Sequence, residues 1–350
     1  MKQLAAQGPR TALVSLLFLL ILAGCGQSSS SNGGKVTLNL GYFPNLTHAV
    51  ALVGVGHGIF QQELGSKVAL QTTTFNAGPA EIQALFAGSI DIGFVGPSPA
   101  VNGYMQSHGS ALKVIAGASS AGVAFVVQGN ENIRSPADLA NKKLADPQKG
   151  GTQDVALRTY LRQHGLKSTD DGGNVQIIST DNASILTLFK ADKIDGAWMP
   201  EPWATRLQVE GNGKVFLNES SLWPGGQFAT TVVVVRQAFY TAHPDVVKSF
   251  LQADVDTVQY IRSNPTAAEQ IANDQIKKIT GSPMKSSELP LAFKDLQVTY
   301  DPLASTINEQ ANRSYALGFV KSQPDLTHFY NLGPLNEVLS SKGLATVATP

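Results

Sequence analysis

The chain has 350 residues, with 26 Lys plus Arg against 26 Asp plus Glu, and only 15% of positions are charged. That balance leaves no bulk field to draw in nucleic acid or an anionic membrane. One cysteine, Cys25, excludes an internal disulfide, a CxxC pair and any two-thiol metal site.

Lys2 and Arg10 give a basic leader to an apolar run from Ala12 to Ala23. The run has the length of a signal-peptide hydrophobic region and falls short of the roughly 20 residues that cross a bilayer core. It ends in Leu22-Ala23-Gly24-Cys25, which resembles a bacterial lipobox. Residues 1–24 are therefore expected to be removed, with lipid on Cys25 and residues 25–34 as a flexible polar tether. About 315 residues remain, enough for two substantial cores. The expected location is outside the cell, anchored to the outer face of the cytoplasmic membrane or periplasmic.

Strands and helices then alternate. Val36 to Leu40 reads as a strand, with Asn45 as the cap of a helix through Gly56. Val68 to Phe75 is a strand, Gly78 to Phe86 a helix, Ile90 to Val95 a buried strand, Pro99 to Gln106 a helix and Leu112 to Ala116 a strand. Such a βαβαβαβ series implies a parallel sheet with helices on its faces. A second series begins after Gly122, with strands at Ala124 to Val127, Val175 to Ile178 and Ile194 to Trp198. Its helices lie at Ser135-Pro136, Thr152 to Gln163 and Ser184 to Lys190. Thr230 to Val235 is a strong strand, and helices follow at Pro244 to Ser263 and Pro265 to Lys278.

One internal echo bears on architecture. Ile82-Gln-Ala-Leu-Phe86 returns as Ile185-Leu-Thr-Leu-Phe189, each followed by Ile-Asp (Ile90-Asp91, Ile194-Asp195) and Pro-x-Pro (97–99, 200–202). The doubled series implies two α/β lobes of like topology, each a mostly parallel sheet flanked by helices. Lobe 1 is expected over 35–120 and 230–350 and lobe 2 over 121–229, with crossovers at 116–124 and 225–231. A ligand would sit between them, at the C-terminal ends of the strands.

Tyr42-Phe43-Pro44-Asn45 with Thr47-His48-Ala49, Phe75 to Pro79, Ala87 to Gly93, Gly151-Thr152-Gln153-Asp154 and Asp195 to Trp203 resemble one family. It is the nitrate/sulfonate/taurine-type substrate-binding proteins of ABC importers, and the likeness runs from about Val36 to Phe250. The resemblance implies the two-lobe type II periplasmic binding protein fold, closing like a hinged clamp. It also implies delivery to permease subunits with a cytosolic ATPase, a monomer, and no cofactor or metal.

The loops support an anion site by their own chemistry. Asn45, Asn76-Ala77-Gly78, Pro97-Ser98, Gly150-Gly151-Thr152-Gln153 and Asn182 stand at helix starts, where unpaired N–H groups and the positive dipole end collect. Only His48, Lys149 and Arg206 are basic residues near these loops, so many dipoles rather than one strong cation would hold the ligand. Tyr42, Phe43, Trp198, Trp203 and Trp223 are available to wall an organic tail. Glu201, if it faces the cleft, would favour an ammonium group and so an amino-sulfonate such as taurine. The candidate ligand-binding set is Tyr42, Phe43, Asn45, Asn76, Gly78, Gly96, Ser98, Ser119, Thr152, Gln153, Trp198, Glu201 and Trp203. His48, with no partner evident in sequence, reads as structural, and Asp91 and Asp195 read as bonding local backbone.

The best-fitting ligand is an aliphatic sulfonate or taurine; nitrate, bicarbonate and a hydroxymethylpyrimidine are the alternatives. Two other classes share similar lobes. A pyrimidine synthase-like enzyme needs a cysteine-rich motif, and the sensing portion of a transcription regulator needs a helix-turn-helix segment. The export signal and the lone Cys25 stand against both.

Overall fold

Four strands, β1 (Val36–Tyr42), β2 (Val68–Thr74), β3 (Ile92–Val95) and β4 (Leu112–Ala121), open the chain in the computed structural model. The described residues are 35–348 and 350, so the leader, lipobox and tether readings lie outside them. The chain then builds β5 (Val123–Gln128), β6 (Lys143–Asp146), β7 (Gln176–Ser179), β8 (Gly196–Pro200) and β9 (Gly213–Asn218). It returns through β10 (Ala229–Arg236) and ends its strands with β11 (Leu296–Val298).

Two sheets result, in the orders β2-β1-β3-β10-β4-β11 and β7-β6-β8-β5-β9. In the first, β1 is parallel to β2 and β3, whereas β10 runs antiparallel to both β3 and β4, and β11 to β4. In the second, β6 is parallel to β7 and β8, and β5 runs antiparallel to β8 and β9. Both sheets are therefore mixed. Each contains one strand inserted against the others, and in each case it is the first strand after the chain changes sheets. Apart from the edge strand β11, the two sheets share one topology.

The internal echo occupies equivalent places in that topology. The helix Gly78–Phe86 precedes β3 as the helix Asn182–Lys190 precedes β8. Asp91 and Asp195 stand just before these strands and accept from the backbone N–H of Asn39 (3.0 Å) and Lys143 (2.6 Å). The carboxylates thus tie β3 to β1 and β8 to β6 at the same corner of each sheet.

The helices are α1 (Ala49–Gly56), α2 (Ile59–Leu64), α3 (Gly78–Phe86), α4 (Pro97–Gln106), α5 (Thr152–Gln163), α6 (Asn182–Lys190) and α7 (Trp203–Val209). After β10 come α8 (Gln237–Ala242), α9 (Pro244–Ser263), α10 (Pro265–Thr280), α11 (Leu289–Phe293), α12 (Ala304–Ala316) and α13 (Gly333–Ser341). Prolines in the first turn start α3, α4, α9 and α10, where the missing N–H costs nothing. Gly281 stops α10 in the left-handed region at φ 73°. The apolar stripe of α9 (Val247, Phe250, Leu251, Val258) is buried in one core with Phe60 of α2 and Phe94 of β3. Its aromatic centre is tight, with Phe250 4.9 Å from Phe60.

Candidate functional site

A small cavity lies where the C-terminal ends of the parallel strands of both sheets face each other. Around the first sheet it is lined by Phe43, Asn45, Thr47, His48, the segment Asn76 to Gly78, Gly96, Pro99 and Thr230. Around the second it is lined by Pro147, Gln148, the segment Gly151 to Gln153, and Pro200. The space open to the centres of water-sized molecules is about 30 Å³, and the whole recess with its mouth is about 420 Å³. Not one lining residue is an aspartate, glutamate, lysine or arginine.

Three helix N-termini open onto it. The N-cap positions of α3, α4 and α5 are Ala77, Gly96 and Gly151, and none receives a side-chain cap. The first-turn N–H groups of a helix have no intrahelical acceptor, and they carry the positive end of its dipole. Pro79, Pro97 and Pro99 supply none, so the first-turn donors are those of Gly78 and Ala80 in α3, Ser98 in α4, and Thr152, Gln153 and Asp154 in α5. Alanine and glycine are poor N-caps; at all three positions the ordinary internal acceptor is missing. Thr152, only 6% exposed, adds to the wall a hydroxyl that makes no hydrogen bond.

The acids near these helix starts do not oppose an anion. Glu81 in the first turn of α3 is fully buried without a partner, and burial pushes its carboxyl well above the ordinary range, which favours its neutral form. Asp154 in the first turn of α5 accepts from Gly150 N–H (2.8 Å) and pairs with Arg158 at 2.5 Å. The Gly150-Gly151 turn is thereby pinned from below, with its charge compensated.

The two halves touch across the cavity. Asn45 Oδ1 accepts from Trp203 Nε1–H (2.9 Å) and from Asn182 Nδ2–H (3.4 Å). Leu46 N–H donates to the Glu201 carbonyl (2.9 Å), and Arg206 donates to the Ser282 carbonyl (2.6 Å). A second cavity of about 530 Å³ abuts the first through Asn45 and Asn76, with Trp203, Leu186 and Arg206 among its walls.

Of the residues singled out from sequence, Phe43, Asn45, Asn76, Gly78, Gly96, Thr152 and Gln153 come together on the cavity. Six do not line it. Tyr42 faces the core of the first sheet. Ser98 is buried within α4, and Ser119 donates to the carbonyl of Thr47 (2.7 Å), one layer behind the wall. Trp198 is wholly buried in the second half between Phe125 and Tyr160, its Nε1–H donating to Glu219 (2.6 Å). Glu201 turns its carboxyl to Thr205 N–H (3.1 Å), so the ammonium argument built on it falls. Trp203 borders only the larger cavity.

Trp223 stacks on Phe228 beneath Arg313, Lys149 pairs with Asp170 at 2.6 Å, and neither reaches the cavity. Asn45 starts a 3₁₀ turn without capping it, because its side chain is taken by Trp203 and Asn182. The sequence reading missed Pro147, Gln148 and Thr230, which carry no charge or motif to mark them, and Thr47, which stands in a stretch that carries the family resemblance but was not among the candidate site residues. His48, read there as structural, is a wall of the cavity.

Burial sets the titration behaviour of this region. It drives His48 down from 6.5 to about 3, and it pushes Glu201 up from 4.5 to about 8 and Glu219 up to about 7. The unfolded histidine takes a proton below 6.5 that the fold refuses, so stability present above 6.5 is lost as pH falls toward 3. The two acids hold protons that the unfolded chain releases above 4.5, so stability present below 4.5 is lost as pH rises toward 7 and 8. Thermal stability of residues 35–350 is therefore expected to peak in mildly acid buffer and to decline by about pH 8.5. Glu201→Gln is expected to flatten that alkaline decline in melts run across the pH range. A melting temperature that climbs steadily from about pH 6 to 8.5 would contradict this assignment.

Residues 31–274 match the model of the NMT1-like family. The chain belongs to that family. Over 270 residues it is 27% identical to a protein of Brucella abortus (strain 2308) that carries the name of a binding protein, covering 74% of this chain and 79% of that one. It is 29% identical over 216 residues to the taurine-binding periplasmic protein of Escherichia coli K12, covering 61% and 64%. Among solved structures, the alkanesulfonate-binding protein SsuA of Xanthomonas axonopodis pv. citri, bound to MOPS, superposes with a TM-score of 0.68 at 18% identity. That match covers 83% of this chain and 96% of the other. The fold of this NMT1-like protein is thus the two-lobe type II periplasmic binding protein fold. The fold is not confined to binding proteins, since the desulfurization enzyme DszB matches with a TM-score of 0.66 over 88% of this chain.

Proposed function

We propose that this NMT1-like protein is the solute-binding component of an ABC importer. It captures a small organic anion, an aliphatic sulfonate or taurine, between two lobes and delivers it to the permease. One observation carries the reading: three uncapped helix N-termini, from both halves, meet at a cavity with no charged side chain. Such a receptor suits an oxyanion whose charge is spread over several oxygens. The adjoining cavity of about 530 Å³ gives an organic tail somewhere to go. The lobes are 35–120 with 230–350, and 121–229; the separate sheets, each with its own cores, support that division. The names of the relatives support binding over catalysis.

Nitrate is the second reading, favoured by the small size of the cavity at the helix N-termini. A thermal-shift screen of residues 35–350 against taurine, short and long alkanesulfonates, nitrate, bicarbonate and a hydroxymethylpyrimidine separates the two. A ligand at about 1,000 times its dissociation constant adds roughly 4 kcal/mol. Sulfonates are expected to shift the melt with a preference for one chain length; a shift with nitrate alone moves the assignment to inorganic anions.

In the same reading the protein is exported, works as a monomer, and is held at the membrane by lipid on Cys25. Cys25→Ser is expected to move it from the membrane pellet to the soluble fraction. Unchanged fractionation would remove the lipid anchor and leave the binding role untouched.

A further inference from the structure

We propose that His48 is a ligand-binding residue, a neutral imidazole that donates its Nε2–H to an oxygen of the bound anion. The inference rests on the anion reading of the cavity and adds to it a residue and a protonation state. His48 is 2% exposed and forms part of the cavity wall. Its Nδ1 accepts from the backbone N–H of Phe43 at 3.3 Å, and its ring lies against that of Phe43 with centroids 4.2 Å apart.

A nitrogen that accepts an N–H carries no proton of its own, so the proton of the neutral ring is on Nε2. Among the described residues no protein acceptor meets that Nε2–H, the one donor the side chain has. The donor of a side chain on the cavity wall is free to meet an acceptor of the ligand there. Here the neighbouring walls, Asn45, Ala77 and Gly96, belong to a receptor made of donors. The Phe43 N–H also blocks the second protonation site, because an imidazolium would have to give up that bond. His48 therefore completes the receptor as a dipole and adds no charge.

The test uses residues 35–350 with butane-1-sulfonate, taurine and nitrate as probes. Nitrogen-detected histidine spectra of the labelled protein are expected to show the Nε2–H tautomer for His48. Saturating probe is expected to move the Nε2 signal and leave Nδ1 in place. His48→Gln, whose amide nitrogen stands near the position of Nε2, is expected to bind within about threefold of the unmodified protein, and His48→Leu at least tenfold more weakly. Binding with an unmoved Nε2 signal, or His48→Leu binding as tightly as the unmodified protein, overturns this inference alone. Failure of all three probes to bind the unmodified protein overturns it together with the anion reading.

Discussion

Gly96→Val is expected to weaken ligand capture at least 100-fold while lowering the urea midpoint of the unliganded protein only slightly. Gly96 sits at φ −65° and ψ 148°, extended backbone open to any residue and favoured before a proline. No glycine is needed there for conformation. What a Cβ would meet is the other half of the molecule: it would overlap Thr152 Oγ1 and lie 3.3 Å from Thr152 Cβ. The clash exists only when the halves are together, because Gly96 follows β3 of the first sheet and Thr152 begins α5 beside the second. Valine adds two further carbons at the same point, and a close-packed contact has no slack for them. Holding the clamp open by even an ångström separates the N-termini of α4 and α5 from one anion. The dissociation constant is expected to rise at least 100-fold, about 2.7 kcal/mol. Calorimetric titration of the variant checks this, and tight binding by Gly96→Val would mean the halves do not meet at this point in the liganded protein.

Trp198→Ala has its large effect on folding instead. The side chain is fully buried, stacked 5.4 Å from Phe125 and 5.6 Å from Tyr160. Truncating an aromatic in such a site costs about 3–5 kcal/mol. It also strips Glu219, itself buried, of its 2.6 Å hydrogen bond and leaves Trp223 at 3.4 Å as its indole donor. The urea midpoint is expected to fall sharply, while the fraction still folded binds ligand within about twofold of the unmodified protein. Trp198→Phe keeps one stacking ring, leaves a smaller cavity, and is expected to lose roughly half as much. A variant that melts normally and fails to bind would put Trp198 back on the cleft.

The contrast between Gly96 and Trp198 shows what a linear sequence carries. Helix starts are local events, and Gly78-Pro79, Gly151-Thr152 and Pro244 mark α3, α5 and α9 at their observed first residues. Those same starts supply the N-termini of the receptor, which is why seven of the expected residues do gather there. Strand direction is not local. The apolar run of β10 is evident, but its antiparallel insertion between β3 and β4 is decided by pairing with residues more than a hundred positions earlier. Short strands such as β6 and β11 exist only through their partners, and their four and three residues show no pattern of their own.

Side-chain facing failed for a related reason. Every residue of β8 is buried, so no alternation tells which way Trp198 points. Glu201 follows that strand, and nothing in the sequence tells which way its carboxyl turns. The place of His48 is not legible in the sequence because its partner is a backbone N–H, invisible to any reading of side-chain types. The topological doubling, by contrast, was legible in the repeated Ile-Asp and Pro-x-Pro elements, since the same corner bonds recur in both sheets.

The most direct test is a crystal structure of residues 35–350 grown with the sulfonate that gives the largest thermal shift. The sulfonate oxygens are expected within hydrogen-bond distance of first-turn N–H groups of α3, α4 and α5, with no charged side chain in contact and the tail toward Asn45 and Asn76. A ligand held instead by Arg206, or lying outside the cavity between the sheets, would contradict a receptor built from dipoles.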